Sequence, residues 1–424
     1  MESIFKEIVQ IMHQDYSGFK DKKGWDNPNY FLQKIKDLKV SNKLTKELFT
    51  EIVKDYLLDF KDQHVYFLQN DSVKTRKLEL GFQVRRYDDR LYVTEVSSEN
   101  RLKCGMFFKS LEGITVPELV ELHKRLLFHE SAERENWAHI LSLYKYGEIE
   151  DLNGNQSLFQ FYLYDKSPYS PTYSVRSISE NILKMTITDF MDPEAISNML
   201  NENDNLLEST EHWIIDVRTN YGGSDASFYP LLSYIMPEEG INLEDPEDKM
   251  LFNCTNENTV RQLIELDRDI ENTQDKQTLL FLNVMKKEWE RNKGKGFVEF
   301  NFEELFPTTI FKGKKTPNKI VILTDCMCGS SGDSFVEICK QSSKVTVIGR
   351  PTKGLNDYTN LVCMKWNNEF ELMYPTSRLS RIEKGKGMSG IGIQPDIYIP
   401  WSPKHLEDDI DLKAAISMLT SLGV

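Results

Sequence analysis

The chain has 424 residues, of which 40% are hydrophobic and 11% aromatic, so it can bury a large core, and its length suggests two or three domains. Its formal net charge of -14 disfavours nucleic acid as a partner, because phosphate binding needs a basic face. No apolar stretch approaches the roughly 18 residues of a membrane span, and acids interrupt the N-terminal apolar pattern, so we expect a cytoplasmic protein without membrane contact.

The first predicted region is an N-terminal helical segment, residues 1–74. Its stretches IFKEIVQIMHQ and KELFTEIVKDYLLDF repeat apolar residues at spacings of three and four, the period of amphipathic helices. Residues 75–145 change to period-two strands, turns marked by glycine and a closing amphipathic helix. This succession resembles a PDZ-like β-rich module.

Residues 146–424 are predicted to form a third, α/β domain. The runs ILKMTITDF, HWIIDVR, NKIVILTD and KVTVIGRP alternate with helical stretches, which indicates parallel strands connected by helices. The charged helical stretch 240–316 interrupts this alternation. We interpret it as an insertion or lid, with solvated surface as the default interpretation.

Two turns of this domain follow apolar strands and precede helices. In WIIDVRTNYGGSD, Gly222 and Gly223 permit a sharp turn whose N–H groups can hold an oxyanion, although a tight turn without a ligand is the commoner meaning of such a pattern. In DCMCGSSGDSF, Ser330 is predicted at the first turn of a helix, where free N–H donors and the helix dipole favour a nucleophile. Taken alone, an N-cap serine is the simpler explanation.

A serine nucleophile needs a base, and His64 is the candidate among seven histidines. It alone stands at a joint between a helix and an apolar run with a flanking acid, Asp62. A lone histidine is more often structural, so the case for catalysis depends on the combination of His64 with the two turns.

Six sequence blocks, in this order, closely resemble those of peptidase family S41, the tail-specific or C-terminal processing proteases and their tricorn-like relatives. They are DQHVYFL, ILKMTITDF, WIIDVRTNYGG, NKIVILTDCMCGSSGDSF, VTVIGRPTKG and GIGIQPDIYIP. The resemblance covers most of the chain from about residue 50 to 420 and implies a ClpP/crotonase-like α/β catalytic core. It places the family's nucleophile on Ser330, because the pattern Thr-Ala-Ser-Ala-x-Glu matches residues 328–333.

The resemblance also implies the other members of the site. The oxyanion donors fall on N–H groups around Gly222, Gly223 and Ser331. The processing proteases use a lysine base, but Leu355 stands at the matching position and Lys353 lies two residues earlier.

The tricorn-like branch instead uses a histidine in an N-terminal block, which matches His64. That branch supports its base with a carboxylate near the last block, where this chain has Ser389. Glu383 is a second candidate for the role.

The sequence therefore predicts a serine endopeptidase of S41 type that acts on peptides or unfolded polypeptides, with no metal and no organic cofactor. Three alternatives stay open: a catalytically inactive peptide-binding protein on the same scaffold, a non-peptide esterase, and a crotonase-type acyl-CoA enzyme, which would not need a PDZ-like insert. The module has either a peptide-capturing role by β-augmentation or a structural one. Whether the chain forms a homo-oligomer is left open.

Overall fold

The computed structural model describes residues 1–70, 77–243, 248–274, 276–305 and 310–421. The predicted boundary between residues 74 and 75 lies outside the described residues. The helices, in chain order, are α1 Glu2–Gln14, α2 Pro28–Val40, α3 Lys46–Leu57, α4 Val116–Leu122, α5 Lys124–Leu127, α6 Ala138–Leu141, α7 Pro193–Glu202, α8 Asp204–Ser209, α9 Tyr229–Ile235, α10 Asn256–Asn272, α11 Lys276–Asn292, α12 Ser331–Cys339 and α13 Ile410–Ser421.

The strands are shorter on average and follow the same numbering by chain order. They are β1 Tyr66–Gln69, β2 Leu78–Glu79, β3 Phe82–Tyr87, β4 Arg90–Val96, β5 Phe107–Leu111, β6 Ile114–Thr115, β7 Tyr146–Glu150, β8 Gln156–Gln160, β9 Tyr164–Asp165, β10 Tyr173–Ser179, β11 Ile182–Ile187, β12 His212–Asp216, β13 Ile241–Asn242, β14 Met250–Cys254, β15 Gly296–Glu299, β16 Ile310–Phe311, β17 Lys319–Thr324, β18 Val345–Gly349, β19 Tyr358–Trp366, β20 Phe370–Leu379 and β21 Ile397–Tyr398.

The chain divides into two compact units, each made of three separate segments. The first, which we call the His64 unit, comprises Met1–Lys74, Asn242–Ile310 and Leu355–Ser389. The second, which we call the Ser330 unit, comprises Thr75–Ile241, Phe311–Gly354 and Gly390–Val424. In the described ranges, no helix combines the length and apolar character needed to cross a membrane.

The His64 unit packs its first three helices against an antiparallel sheet of order β1-β20-β14-β15, with β19 also paired to β20. Thr45 begins α3 by accepting a hydrogen bond from the N–H of Leu48. Phe5, Tyr56 and Phe67 are fully buried in the shared core of helices and sheet. The stretch predicted as an insertion supplies α10, α11, β14 and β15, which enclose a second core around Trp289.

The Ser330 unit is built on a sheet of order β10-β11-β12-β17-β18-β21. All its neighbouring strands run parallel except β10, which is antiparallel to β11. Its central strands are continuous apolar runs such as Ile320–Leu323, because both faces of a parallel sheet are buried. The α/β class predicted from the alternating pattern is confirmed.

A second sheet of the Ser330 unit is antiparallel, with order β3-β4-β5-β7-β8 and β6 paired to β5. Its core is formed by apolar side chains that include Leu91, Phe108 and Trp137. Strands β7 and β8 follow residue 145 in the chain, so this sheet extends to Gln160.

Candidate active site

Ser330 lies at the turn between strand β17 and helix α12. It is the N-cap of α12, one residue before the helical position that the sequence predicted. Its backbone has φ 58° and ψ -124°, which an L-residue rarely adopts. Such a conformation costs on the order of 1–3 kcal/mol and persists only where the surroundings hold it, as in the strained strand-to-helix turns that present nucleophilic serines.

Asp333 holds this turn from inside the protein. Its side chain is fully buried, and its Oδ2 accepts the N–H of Ser330 at 2.8 Å. Its Oδ1 accepts the N–H of Gly354 at 2.8 Å, which ties the turn to the segment after β18. The N–H of Gly329 donates to the carbonyl of Asn220 at 3.0 Å, which attaches the turn to the loop after β12.

The two predicted glycines lie directly against this turn. Gly222 has φ +79°, and a Cβ there would stand 2.6 Å from the Cβ of Ser330 and 3.2 Å from its Oγ. Gly223 has φ +146°, and its Cβ would stand 2.3 Å from the carbonyl of Phe190. Both positions therefore require glycine, and Gly222 lies directly against Ser330.

Ser331 joins the glycine turn to the start of α12. Its Oγ donates to the carbonyl of Gly223 at 2.8 Å. The N–H of Gly222 donates to Oδ1 of Asn220 at 2.9 Å, so this predicted oxyanion donor has a partner within the protein. These two hydrogen bonds involve the carbonyl of Gly223 and the N–H of Gly222, and neither involves the N–H of Gly223.

Gly222→Ala is expected to lower peptide cleavage by about 100-fold, because the new methyl group would displace Ser330 from its position. The matched control is Gly154→Ala: Gly154 has φ +83°, close to that of Gly222, but a Cβ there meets nothing within 4 Å. Initial cleavage rates and melting temperatures of both variants separate the two effects. Equal losses of activity in both variants would refute the steric argument.

Asp225 begins the 3-10 turn that follows the glycines. Burial raises the pKa of its carboxyl, and the hydroxyl groups of Ser331 and Ser334 only partly oppose this. A carboxyl with a raised folded-state pKa loses stability as pH rises through that pKa. Asp225→Asn is therefore expected to raise the melting temperature at pH 7, with the gain vanishing in acid. Calorimetry across pH checks this, and a lower melting temperature at pH 7 would contradict it.

His64 lies in the other unit, after α3 and before β1, and is 9% exposed. Its backbone N–H donates to Oδ1 of Asp62 at 2.9 Å. Its ring Nδ1 is 2.7 Å from the carbonyl oxygen of Tyr358. Because a carbonyl only accepts, Nδ1 must carry the proton, which leaves Nε2 of the neutral ring as the proton acceptor. The ring is thus in the tautomer that a general base requires.

The structure gives a main-chain contact for Ser389 and a side-chain contact for Glu383, the two candidates for an orienting group. The N–H of Ser389 donates to Oδ2 of Asp357 at 2.7 Å. The Glu383 side chain is 65% exposed and lies 3.3 Å from Nη1 of Arg378. Within the described part of the chain, the recorded partner of His64 Nδ1 is the Tyr358 carbonyl. The catalytic roles of Ser389 and Glu383 stay predictions.

Lys353 lies in the Ser330 unit and Leu355 begins the last segment of the His64 unit. The N–H of Lys353 donates to the carbonyl of Cys328 at 2.6 Å, and burial lowers the pKa of its ammonium group. Burial also raises the pKa of Cys326 to about 12, which disfavours a thiolate there. In the described ranges, no group of three or more His, Cys, Asp or Glu residues is placed to hold a metal ion.

Two groups that hold Ser330 and His64 in place were given no role in the sequence analysis. Asp333 has a local signal, because Ser-x-x-Asp at a helix start is typical of reciprocal capping. The Tyr358 carbonyl has none, because every residue carries such a group.

Comparisons with known proteins give a family and a fold. A family model described as peptidase family S41 matches residues 181–399, slightly more than half of the chain, and includes both turns but not His64. A search of the curated proteins found no match.

Solved structures match over nearly the full length. Mature CPAF complexed with lactacystin has a TM-score of 0.67 at 14% identity, covering 99% of this chain and 97% of that chain. An alanine variant of CPAF has a TM-score of 0.68 at 14% identity, covering 99% and 96%. The photosystem II D1 C-terminal processing protease has a TM-score of 0.47 at 10% identity, covering 95% and 93%. At 14% identity the CPAF likeness is one of fold.

Proposed function

The chain belongs to peptidase family S41, and from that membership and the geometry around Ser330 and around His64 we propose that it is a serine peptidase acting on peptides or unfolded polypeptides. The observation that carries the proposal is the strained backbone of Ser330 at a strand-to-helix turn, with Gly222 packed against its side chain. A serine that served only as an N-cap would not need a conformation costing on the order of 1–3 kcal/mol.

In the proposed reaction, Ser330 Oγ attacks the carbonyl carbon of the scissile peptide bond while His64 Nε2 takes the hydroxyl proton. The C–N bond then breaks, and His64 returns the proton to the leaving amine. Water attacks the remaining ester with its proton going to His64, which gives it back to Ser330 as the new carboxylic acid leaves. The Tyr358 carbonyl keeps the ring oriented by accepting the Nδ1–H.

For the tetrahedral oxyanion, we propose the N–H groups of Gly223 and Ser331 as donors. Ser331 is the first residue of α12, so its N–H has no acceptor inside the helix and lies at the positive end of the dipole. The N–H of Gly222 already donates to Asn220, so we assign Gly222 the role of allowing close approach to Ser330. Backbone donors of this kind stabilise charge without reorganising during the reaction.

Lys353 is the second candidate base, because burial lowers the pKa of its ammonium group. We favour His64 because its ring tautomer is fixed for proton acceptance. Lys353→Met is expected to retain most of the cleavage rate, whereas His64→Ala loses it.

The same proposal extends to the two large sheets of the Ser330 unit. We infer that the antiparallel sheet from β3 to β8 with α4 is a PDZ-like module, and that the parallel sheet of the Ser330 unit is a ClpP/crotonase-like core. The antiparallel order of the first sheet and the parallel order of the second support this assignment.

The test combines covalent labelling with cleavage of a mixed peptide library. A fluorophosphonate probe is expected to form one adduct, which peptide mapping by mass spectrometry locates on Ser330, and the unlabelled protein is expected to cut the library. An adduct on Ser331 would move the nucleophile by one residue. Absence of both labelling and cleavage would favour the inactive peptide-binding scaffold, and cleavage of esters alone would favour the esterase.

A further inference from the structure

A buried lysine lies beneath the segment that carries His64. The Lys22 side chain is 5% exposed, and its Nζ donates to the hydroxyl of Tyr16 at 2.7 Å. That hydroxyl donates to Oδ2 of Asp62 at 2.6 Å, and Lys22 Nζ lies 3.7 Å from the same oxygen. The other oxygen of Asp62 accepts the backbone N–H of His64. Lys22 is thus connected to Asp62, one of the two residues that hold His64; the other is Tyr358.

The same lysine also contacts the second group. Lys22 Nζ lies 4.3 Å from the ring centroid of Tyr358, within the range of a cation–π interaction. The Tyr358 hydroxyl donates to Oδ2 of Asp21 at 3.1 Å, which fixes the ring at its far end. The main-chain carbonyl of Tyr358 accepts the Nδ1–H of His64. One buried cation therefore contacts both residues that fix the catalytic ring.

This arrangement is costly as a purely structural device. Burial lowers the pKa of Lys22, and the carboxylates of Asp62, Asp357 and Asp21 compensate only in part. A buried ion pair is often no more stabilising than apolar side chains of similar volume. The hydroxyl of Tyr16 is likewise enclosed in the core with its ring 5.7 Å from that of Tyr358.

We propose that Lys22, Tyr16 and Asp62 form a positioning network that holds His64 in place of an orienting carboxylate, an inference that rests on the proposed function. The network acts through two fixed attachments: Asp62 holds the backbone of His64, and Tyr358 holds its ring. A neutral carbonyl fixes the tautomer but stabilises the imidazolium less than a carboxylate would, so correct placement of the ring has to come from the surrounding polar contacts.

The test compares Lys22→Met and Tyr16→Phe with a matched control. Lys344 is also buried, at 9% exposure, and its Nζ donates to main-chain carbonyls of the Ser330 unit, so Lys344→Met removes a buried lysine from the unit that does not contain His64. We expect Lys22→Met to lower kcat by about 10- to 100-fold with little change in KM, because a displaced base slows chemistry rather than binding. Tyr16→Phe should show the same pattern to a smaller extent.

Two further readouts separate positioning from stability. The acidic limb of the pH profile of kcat/KM should shift in Lys22→Met, and the ¹H–¹⁵N signal of the His64 Nδ1–H should broaden or move. Lys344→Met should leave kcat and both signals unchanged even if its melting temperature falls.

The outcomes separate a failure of the positioning network from a failure of the proposed peptidase function. If His64→Ala is inactive while both Lys22→Met and Tyr16→Phe keep the unmodified kcat and pH profile, the positioning network is refuted and the peptidase proposal stands. If His64→Ala keeps full activity, the proposed base is wrong. Should Lys22→Met fail to fold, Tyr16→Phe, which removes one oxygen atom, decides the question.

Discussion

Ser330→Ala is expected to lower kcat/KM for peptide cleavage by about 10,000-fold or more, because it removes the atom that attacks the carbonyl. The loss should appear in kcat, since the backbone N–H groups and the rest of the chain still bind substrate. His64→Ala should cost a similar factor. The double variant should be no slower than either single variant, because nucleophile and base act as one unit and the second loss adds nothing.

The neighbouring serine supplies the control for this experiment. Ser331→Ala keeps the N–H proposed to hold the oxyanion and loses the hydroxyl, which bonds to the carbonyl of Gly223 and acts on the carboxyl of Asp225. We expect a loss of at most about 10-fold, which is one kcal/mol or so of hydrogen bonding at the glycine turn. Single-turnover kinetics on one cleaved library peptide compare these four variants with the unmodified protein. Residual fast cleavage in Ser330→Ala would reassign the nucleophile.

The parallel sheet of the Ser330 unit was predictable because its signal is local. Strands β12 and β17 are continuous apolar runs, and buried parallel strands need such runs on both faces. Gly222 and Gly223 were predictable for the same reason. A positive φ at a close approach requires glycine, so the requirement is written in the residue type.

The division into two interleaved units could not be read from chain order. In the His64 unit, Phe67 of β1 pairs with Leu372 of β20, about 300 residues away in the chain. Apolar periodicity reports which face of a strand is buried and carries no information on which distant strand covers it. Hence the stretch interpreted as an insertion supplies β14 to the same sheet as β1.

The site shows the same limit at the scale of single groups. The strain at Ser330 depends on the bond from its N–H to Asp333 and on the packing of Gly222. The presence of a serine at position 330 reveals neither feature. The group that orients His64 is a main-chain carbonyl, which any residue at position 358 would supply. The family resemblance predicts a carboxylate side chain in this role and does not indicate a main-chain carbonyl.

Asp325→Asn is expected to destabilise the protein by about 3–5 kcal/mol at pH 7, the cost of breaking a buried ion pair from one side. Asp325 follows strand β17, and its carboxylate accepts two bonds from the guanidinium of Arg85 and one from Arg350, all at 2.8 Å. Arg350 also donates to both carboxylate oxygens of Asp411 at 2.7 Å. Removing the charge takes away the carboxylate that pairs with the guanidinium of Arg85 and leaves Arg350 to pair with Asp411.

The pH dependence gives this prediction a second, independent readout. Burial raises the pKa of Asp325, but the guanidinium groups of Arg85 and Arg350 outweigh burial and hold it far below its usual range. A folded-state pKa below the unfolded value contributes stability above the ordinary pKa of an aspartate, and that stability is lost as pH falls toward the folded value. The difference between the unmodified protein and Asp325→Asn should therefore be full at pH 7 and shrink below about pH 4.

Urea unfolding at pH 7 and in acid measures this difference, with Glu208→Gln as the control. Glu208 pairs with Lys314 in the same unit, but the two side chains are 55% and 42% exposed, so its loss should cost less than about 1 kcal/mol. An Asp325→Asn cost as small as that of the control would show that the buried charges are not what holds this end of β17. A large stability cost with kcat retained below the unfolding transition would show that Asp333 and Asn220 are sufficient to keep Ser330 in place. Their hydrogen bonds to the turn that carries Ser330 do not involve Asp325.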